Sequence, residues 1–325
     1  MRALQERGAS RCELGEEAEG FDDLREALRL GLAGGMGEEV ALTYGNLAYQ
    51  QWFREGPATS LETWRDMERY SEGRGYETHA MWAKTGRLES MFDLGDWDGV
   101  LELAQQVGDW DVAHGDSQVG IYARFFQAWV HVRRGETEPA ARLARDLLPR
   151  AERIEYAEFT APALMIAAEV ERTRGNLPGA SRHVREFARI TEDSPEYRGL
   201  FVPVAVRLLV EAGGLDEAER LLPDPFEVRT RRHRLALDTA LAVIAEARGD
   251  ADAAGAYHDA AEGWRDYGFL LEEGLTRVGE ARCLAAAGDP RVGEVLDRTR
   301  EVLVRLGARP LVAEVDGLGG AATAT

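Results

Sequence analysis

The chain has 325 residues, 58 of them acidic and 39 basic, for a formal net charge of −19. A hydrophobic fraction of 45% supports a buried core and excludes a wholly disordered chain. The acidic balance excludes a protein that holds nucleic acid by neutralising phosphates, or a membrane through a polybasic patch. No apolar run reaches the ~18 residues of a membrane span. The opening MRALQERGAS has no apolar signal core, and the two cysteines, Cys12 and Cys283, cannot staple a chain of this length. A cytoplasmic protein is expected.

Eight glycines, each followed by a residue that suits a turn or a helix start, separate apolar-periodic segments: Gly15, Gly56, Gly95, Gly135, Gly175, Gly214, Gly249 and Gly288. Their spacings are 41, 39, 40, 40, 39, 35 and 39 residues, which marks an internal repeat. Glycine suits the spot because helices often end in a left-handed residue, and a neighbouring Asp, Glu or Asn caps the next helix. Before Gly95, Met81, Thr85, Leu88 and Phe92 share one helical face. Before Gly135, Ile121, Phe125, Ala128 and Val132 make one stripe, and Tyr122, Phe126 and Trp129 a second, so that helix packs on both sides. Before Gly249, Leu237, Leu241 and Ile244 repeat the pattern. The helix after each glycine is rich in small residues, such as Ala140, Ala141, Ala180, Ala218, Ala253 and Ala254, which permit close helix approach. Pro149, Pro195, Pro223, Pro225 and Pro310 are placed between units, and Pro162 and Pro203 within or near the start of helices.

These signals predict an all-α chain of about eight helix–turn–helix units at roughly 1–36, 37–76, 77–114, 115–155, 156–194, 195–227, 228–268 and 269–311. Together they make one repeat domain over 1–315, followed by a flexible Gly/Ala/Thr tail at 316–325. Gly34-Gly35-Met36-Gly37 is a flexible joint between the first two units.

The units resemble the tetratricopeptide repeat (TPR), a family with a small residue at its eighth position and a turn near its fifteenth. Gly8 and Gly15 fit the first unit, and Ala128 and Gly135 the fourth. Asn46-Leu47-Ala48 matches the family's N-L-G core, with Tyr44 where an aromatic is common. The units are longer than the usual repeat, and Arg124 and Leu164 stand where the family has Trp, so a HEAT-like array remains an alternative. The resemblance implies a right-handed superhelical solenoid. RGASRCELGEEAEGFDDLREALRL and ALTYGNLAYQQWFREGPATSLE are similar in texture to the C-terminal TPR arrays of multidomain bacterial ATP-binding regulators, among them class III adenylate cyclases, AAA ATPases and LuxR-type activators. The repeat phase is already running at the first residue, which suggests the detached C-terminal part of such a regulator.

No chemistry-bearing motif is present. Lys84-Thr85 lacks the glycines of a phosphate loop, the six histidines are scattered without HExxH, and GxSxG does not occur. No cofactor, metal or catalytic residue is expected, and the cysteines read as inert thiols. Arg229, Arg231, Arg232, His233 and Arg234 form the one basic cluster, read as a solvated helix start balanced by Glu227 and Asp238. The family's register places Tyr49, Trp52, Trp82, Tyr122 and Trp129 on first helices near the concave face, with Glu89, Arg133, Glu169 and Arg172 beside them. In this family that face holds an extended peptide or a partner helix, and aromatic and Arg side chains are the usual anchors of such surfaces. The expected function is a non-catalytic protein–protein interaction or regulatory module of a bacterial signalling protein, with a protein or peptide partner and neither nucleic acid nor membrane. Three alternatives stand beside it: an enzyme whose residues converge from separate repeats, an array that senses a small effector in a closed cavity, and a homodimer formed through the uncapped N-terminal repeat.

Overall fold

The computed structural model describes residues 1–115, 117–154, 156–224 and 228–322, with side chains up to residue 320. Among these, 17 α-helices and no strand are present, and the chain is 84% helical. The first three units carry α1 (Arg2–Leu14) and α2 (Glu17–Gly34), α3 (Gly37–Arg54) and α4 (Pro57–Glu72), and α5 (Glu77–Asp93) and α6 (Trp97–His114). The next three carry α7 (Gln118–Arg133) and α8 (Thr137–Glu152), α9 (Ala157–Thr173) and α10 (Leu177–Ile190), and α11 (Pro195–Glu211) and α12 (Leu215–Leu221). The last two carry α13 (Arg231–Arg248) and α14 (Ala253–Tyr267), and α15 (Leu270–Ala287) and α16 (Val292–Leu306). Each expected unit therefore holds one helix pair. A further helix, α17 (Arg309–Ala322), follows.

The turns explain the spacing. Seven of the eight glycines have positive φ, from 64° at Gly288 to 118° at Gly56. In the sixth unit the left-handed residue is Gly213 (φ 79°), one position before the glycine that the spacing singled out. After two of these turns the next side chain caps the helix: Asp96 accepts from the Gly99 amide and Asn176 from the Gly179 amide, both at 3.1 Å. Helices pack on their chain neighbours, and first helices pack on first helices of the following unit, as α1 on α3, α3 on α5 and α9 on α11. Small residues set the closest crossings. A Cβ at Gly8 would lie 2.8 Å from the Gly20 carbonyl oxygen, and one at Gly20 would lie 2.5 Å from Cys12 Sγ, so α1 and α2 touch backbone to backbone.

The chain divides into two compact units, one of residues 1–123 with Arg229–Arg232 and one of residues 124–228 with 233–325. In the first, Val40, Ala48, Trp64, Met67 and Tyr70 form one apolar cluster, and Cys12, Phe21, Leu24 and Leu47 a second. In the second, Leu147, Met165, Ile166, Phe187, Leu208 and Trp264 are fully buried, and the Trp264 indole donates to Thr239 Oγ1 at 2.8 Å.

Three local expectations are corrected. Pro149 lies inside α8 and not between units. The stretch from residue 316 continues α17 to Ala322, where a flexible tail was expected; 323–325 lie outside the described residues, as do Pro225 and Glu227. The basic cluster is not a solvated helix start. Arg232 and His233 are buried, Arg232 with its guanidinium 3.9 Å above the Trp52 ring and 2.6 Å from Asp93 Oδ2. Trp52 Nε1 donates to the same Asp93 oxygen at 2.8 Å, and His233 Nε2 meets the Glu196 carbonyl at 3.0 Å. A carboxylate that deep in a core requires a nearby cation, and here the partner is supplied from 139 positions away. Substituting Arg232→Ala removes that cation and is expected to cost about 3–5 kcal/mol in denaturant unfolding. Arg234→Ala, at an exposed position, should stay within about 0.5 kcal/mol. Equal effects of the two would refute the burial argument.

Candidate functional site

The second unit carries a half-open cavity of about 500 Å³. Its wall comes from α7, α9, α11, α13, α15 and α17, with one residue of α14. All but α17 and α14 are first helices of successive repeats. They present charged side chains at or near their last turns: Arg133 stands two residues before its left-handed glycine, Arg172 three, Glu211 two and Glu246 three. Because the turn glycines fix where each helix ends, the same height on the wall is charged in repeat after repeat.

The α17 helix forms one side of the cavity. Arg309 Nε donates to the Arg134 carbonyl at 3.0 Å, its guanidinium pairs with Glu136 at 3.1 Å, and Pro310 lies where a Cβ on Gly135 would be, 2.8 Å away. The last helix of the unit is thereby seated on its first turn. It contributes Leu311 and Glu314 to the wall.

The charges interlock. Glu169 receives Arg133 Nη2 at 2.8 Å and Arg172 Nε at 2.9 Å, with the Arg133 and Glu169 side chains both 5% exposed. Arg133 also lies over the Trp129 ring, 4.8 Å from its centroid. Arg207 is bidentate to Glu272 at 2.8 and 3.1 Å, and Arg282 is bidentate to Glu246 at 2.8 and 3.0 Å. Arg282 reaches Glu314 as well, at 2.9 Å, and Tyr257 donates to Glu246 at 2.6 Å. Tyr257 is seated against Gly279, where any side chain would collide with its ring.

Ionisation follows from these contacts. Burial alone would raise the Glu169 pKa, but Arg133 and Arg172 outweigh it and hold the carboxyl below its ordinary value. Glu246 is held low in the same way, burial being opposed by Arg282 and the Tyr257 hydroxyl. Burial lowers the pKa of Arg133, and burial with the Glu246 charge raises that of Tyr257. Glu211 differs: burial pushes its carboxyl up, and its nearest cation, Arg172 Nη1, is 3.9 Å away. Cys283, on α15, is pushed to about 11 by burial, so its thiol stays protonated and is no nucleophile at neutral pH. The wall therefore consists of fixed charges and apolar surface, a composition suited to binding. A second concavity of about 300 Å³ between α10, α11 and α12 carries Arg185 and Arg198, which are engaged by Glu217 and by the Ala188 carbonyl.

The residues singled out from the sequence fall in both units. In the first, Trp52 is buried, Tyr49 is half-buried with its ring 4.8 Å from that of Phe53, and Glu89 is half-buried. Trp82 and Tyr122, also half-buried, meet edge to face at 6.0 Å. In the second, Trp129 is buried beneath Arg133, while Arg133, Glu169 and Arg172 are brought together in the cavity wall. Arg207, Glu211, Glu246, Tyr257, Arg282 and Glu314 were not anticipated. For Glu211 and Glu246 the available signal was a charge recurring two or three positions before each turn glycine.

Compared with known proteins, the chain matches no family model, and no curated protein matches it at a significant level.

The depressed Glu169 pKa makes stability depend on acid. A carboxyl whose folded pKa lies below its unfolded value, about 4.3, stabilises the fold above that value and loses the contribution as pH falls through the folded pKa. Replacing it, Glu169→Gln, should cost about 3–5 kcal/mol at neutral pH by leaving Arg133 buried without its counter-charge. The gap between the two proteins should narrow on titration to about pH 3. A gap that does not change with pH would show that the ion pair is not its source.

Proposed function

We propose that this chain is a non-catalytic regulatory module, a TPR-like right-handed superhelix belonging to a bacterial signalling or transcriptional regulator, and that its second unit reads a small effector. The observation that carries the reading is the half-open cavity of about 500 Å³, sized for a small molecule, with α17, seated on the α7–α8 turn, as one side. An enzyme needs a group poised to react. The carboxylates here are mostly locked to guanidiniums, and the nearby thiol is protonated. Ligand binding to a wall drawn from seven helices would bias how those helices pack.

A protein partner is the second reading, favoured by the half-buried Trp82–Tyr122 pair of the first unit. Aromatic side chains that keep part of their surface exposed are the commonest anchors of interfaces. If they serve so here, the double variant Trp82→Ala/Tyr122→Ala should keep its melting temperature and lose a partner captured by the wild type.

The effector reading is tested by thermal unfolding against a metabolite panel. A true ligand at a hundred times its Kd should stabilise the protein by about 2.7 kcal/mol. Leu311→Trp, on the half-buried rim of α17, fills the cavity and should abolish the shift without unfolding the chain. A shift that survives Leu311→Trp would place the ligand elsewhere, and no shift across the panel would overturn the reading.

A further inference from the structure

The cavity wall limits what can enter it. This step rests on the effector reading and adds the ligand's chemistry. The lining holds four arginines and four glutamates, so its charges sum to zero. A charged ligand would bring in a charge that nothing cancels, at a desolvation cost that an uncharged ligand escapes. Between the charges the wall is aliphatic, with Leu208, Val243, Leu275, Val278 and Leu311, and an apolar body gains by burial against it.

One buried polar group in the wall is unmet. The Arg133 side chain is 5% exposed, and its Nη2 donates to Glu169 at 2.8 Å, so its charge has a partner. Its Nε–H, also buried, has no acceptor among the described residues. Donors this deep normally have one. What the wall lacks at Arg133 is therefore an acceptor and not a counter-charge. Arg172 shares the Glu169 carboxylate through its Nε at 2.9 Å, and its Nη1 stands 3.9 Å from Glu211, too far for a hydrogen bond. The other carboxylates nearby, Glu246, Glu272 and Glu314, are taken by Arg207 and Arg282. Two neighbouring guanidiniums thus keep donors that the protein does not use.

We infer that the cavity takes a small uncharged carbonyl compound on a short aliphatic body, its oxygen accepting from Arg133 Nε–H and from the Arg172 guanidinium. A carbonyl oxygen has two lone pairs and serves both donors. It brings no donor that would need an acceptor in turn, and it leaves the charges of the wall balanced.

Titration of the full chain with probes of similar size tests this. The probes are hexan-2-one, 2-methylhex-1-ene (in which a methylene replaces the oxygen), hexanoate and hexylammonium. Hexan-2-one is expected to bind about tenfold or more tightly than each of the others, the worth of one hydrogen bond to a charged donor. It should also shift the Nε–H resonance of Arg133, identified by its absence from Arg133→Lys, and the alkene should not. Arg133→Lys keeps a cation beside Glu169 and deletes the Nε–H, so the preference for ketone over alkene should fall about tenfold. Arg172→Lys, at a side chain 30% exposed, is the second variant and should weaken hexan-2-one several-fold if Arg133→Lys is not folded by circular dichroism. Arg185→Gln, in the other concavity, should change nothing. Equal binding of the alkene, tighter binding of hexanoate or hexylammonium, or an unmoved Arg133 resonance overturns the inference. If Leu311→Trp still removes that binding, the effector reading stands without it. If no probe binds, the inference falls, and the metabolite panel alone decides the effector reading.

Discussion

Pro310 against Gly135, and Arg309 on the Arg134 carbonyl, join two points of the second unit that lie about 175 positions apart in the chain. That contact brings α17, with Leu311 and Glu314, to the cavity wall. Helices packed only on their chain neighbours would leave their inner faces open to water. In water Arg133 and Glu169 would be an ordinary surface pair worth little. In the fold the same pair is 5% exposed, in surroundings of low dielectric where each charge needs the other. The left-handed turn at Gly135 (φ 76°) makes the contact possible, because a side chain there would be both strained and in the way of Pro310.

The interlocked charges have two consequences that pull in opposite directions. Taking guanidiniums and carboxylates out of water is costly, so they add less to net stability than an aliphatic core of the same volume would. They do fix geometry, since Arg207 and Arg282 are each held in two-pronged pairs that allow one orientation. Aliphatic side chains in the same wall prefer one packing of α11, α13 and α15 through shape alone. The bidentate pairs add an orientation requirement to that shape, and Tyr257, pinned between Gly279 and Glu246, adds another.

The helix pairs were legible because two independent signals coincide. Apolar residues recur at helical spacing, and a glycine free to turn left-handed recurs about every 40 residues. Where both residues of a pair are glycine, as at Gly213-Gly214, the sequence cannot say which one turns, and the structure chose the first. The buried Arg232 was not legible, because its partners Asp93 and Trp52 lie far along the chain and a run of basic residues looks the same whether solvated or enclosed. The helix α17 was missed because Gly317, Gly319 and Gly320 weaken its propensity, while its docking through Val315 and Pro310 depends on surfaces formed elsewhere. The charged wall was half legible: Arg133, Glu169 and Arg172 followed from a register, whereas Glu211, Glu246 and Arg282 pass for the solvated charges of any helix end.

The placement of α17 bears on how this chain tolerates being cut. A break just before Arg309 would leave all eight helix pairs whole, with their turns and most of their buried surface. The shortened product would be expected to pass the usual tests of folding. It would nonetheless lack Leu311 and Glu314, and its cavity would lose that side, with Arg282 relieved of one of its two carboxylates. In such a chain the boundary of the repeats and the boundary of the cavity do not coincide, and a fragment trimmed to its repeats would be well folded with one side of the cavity missing.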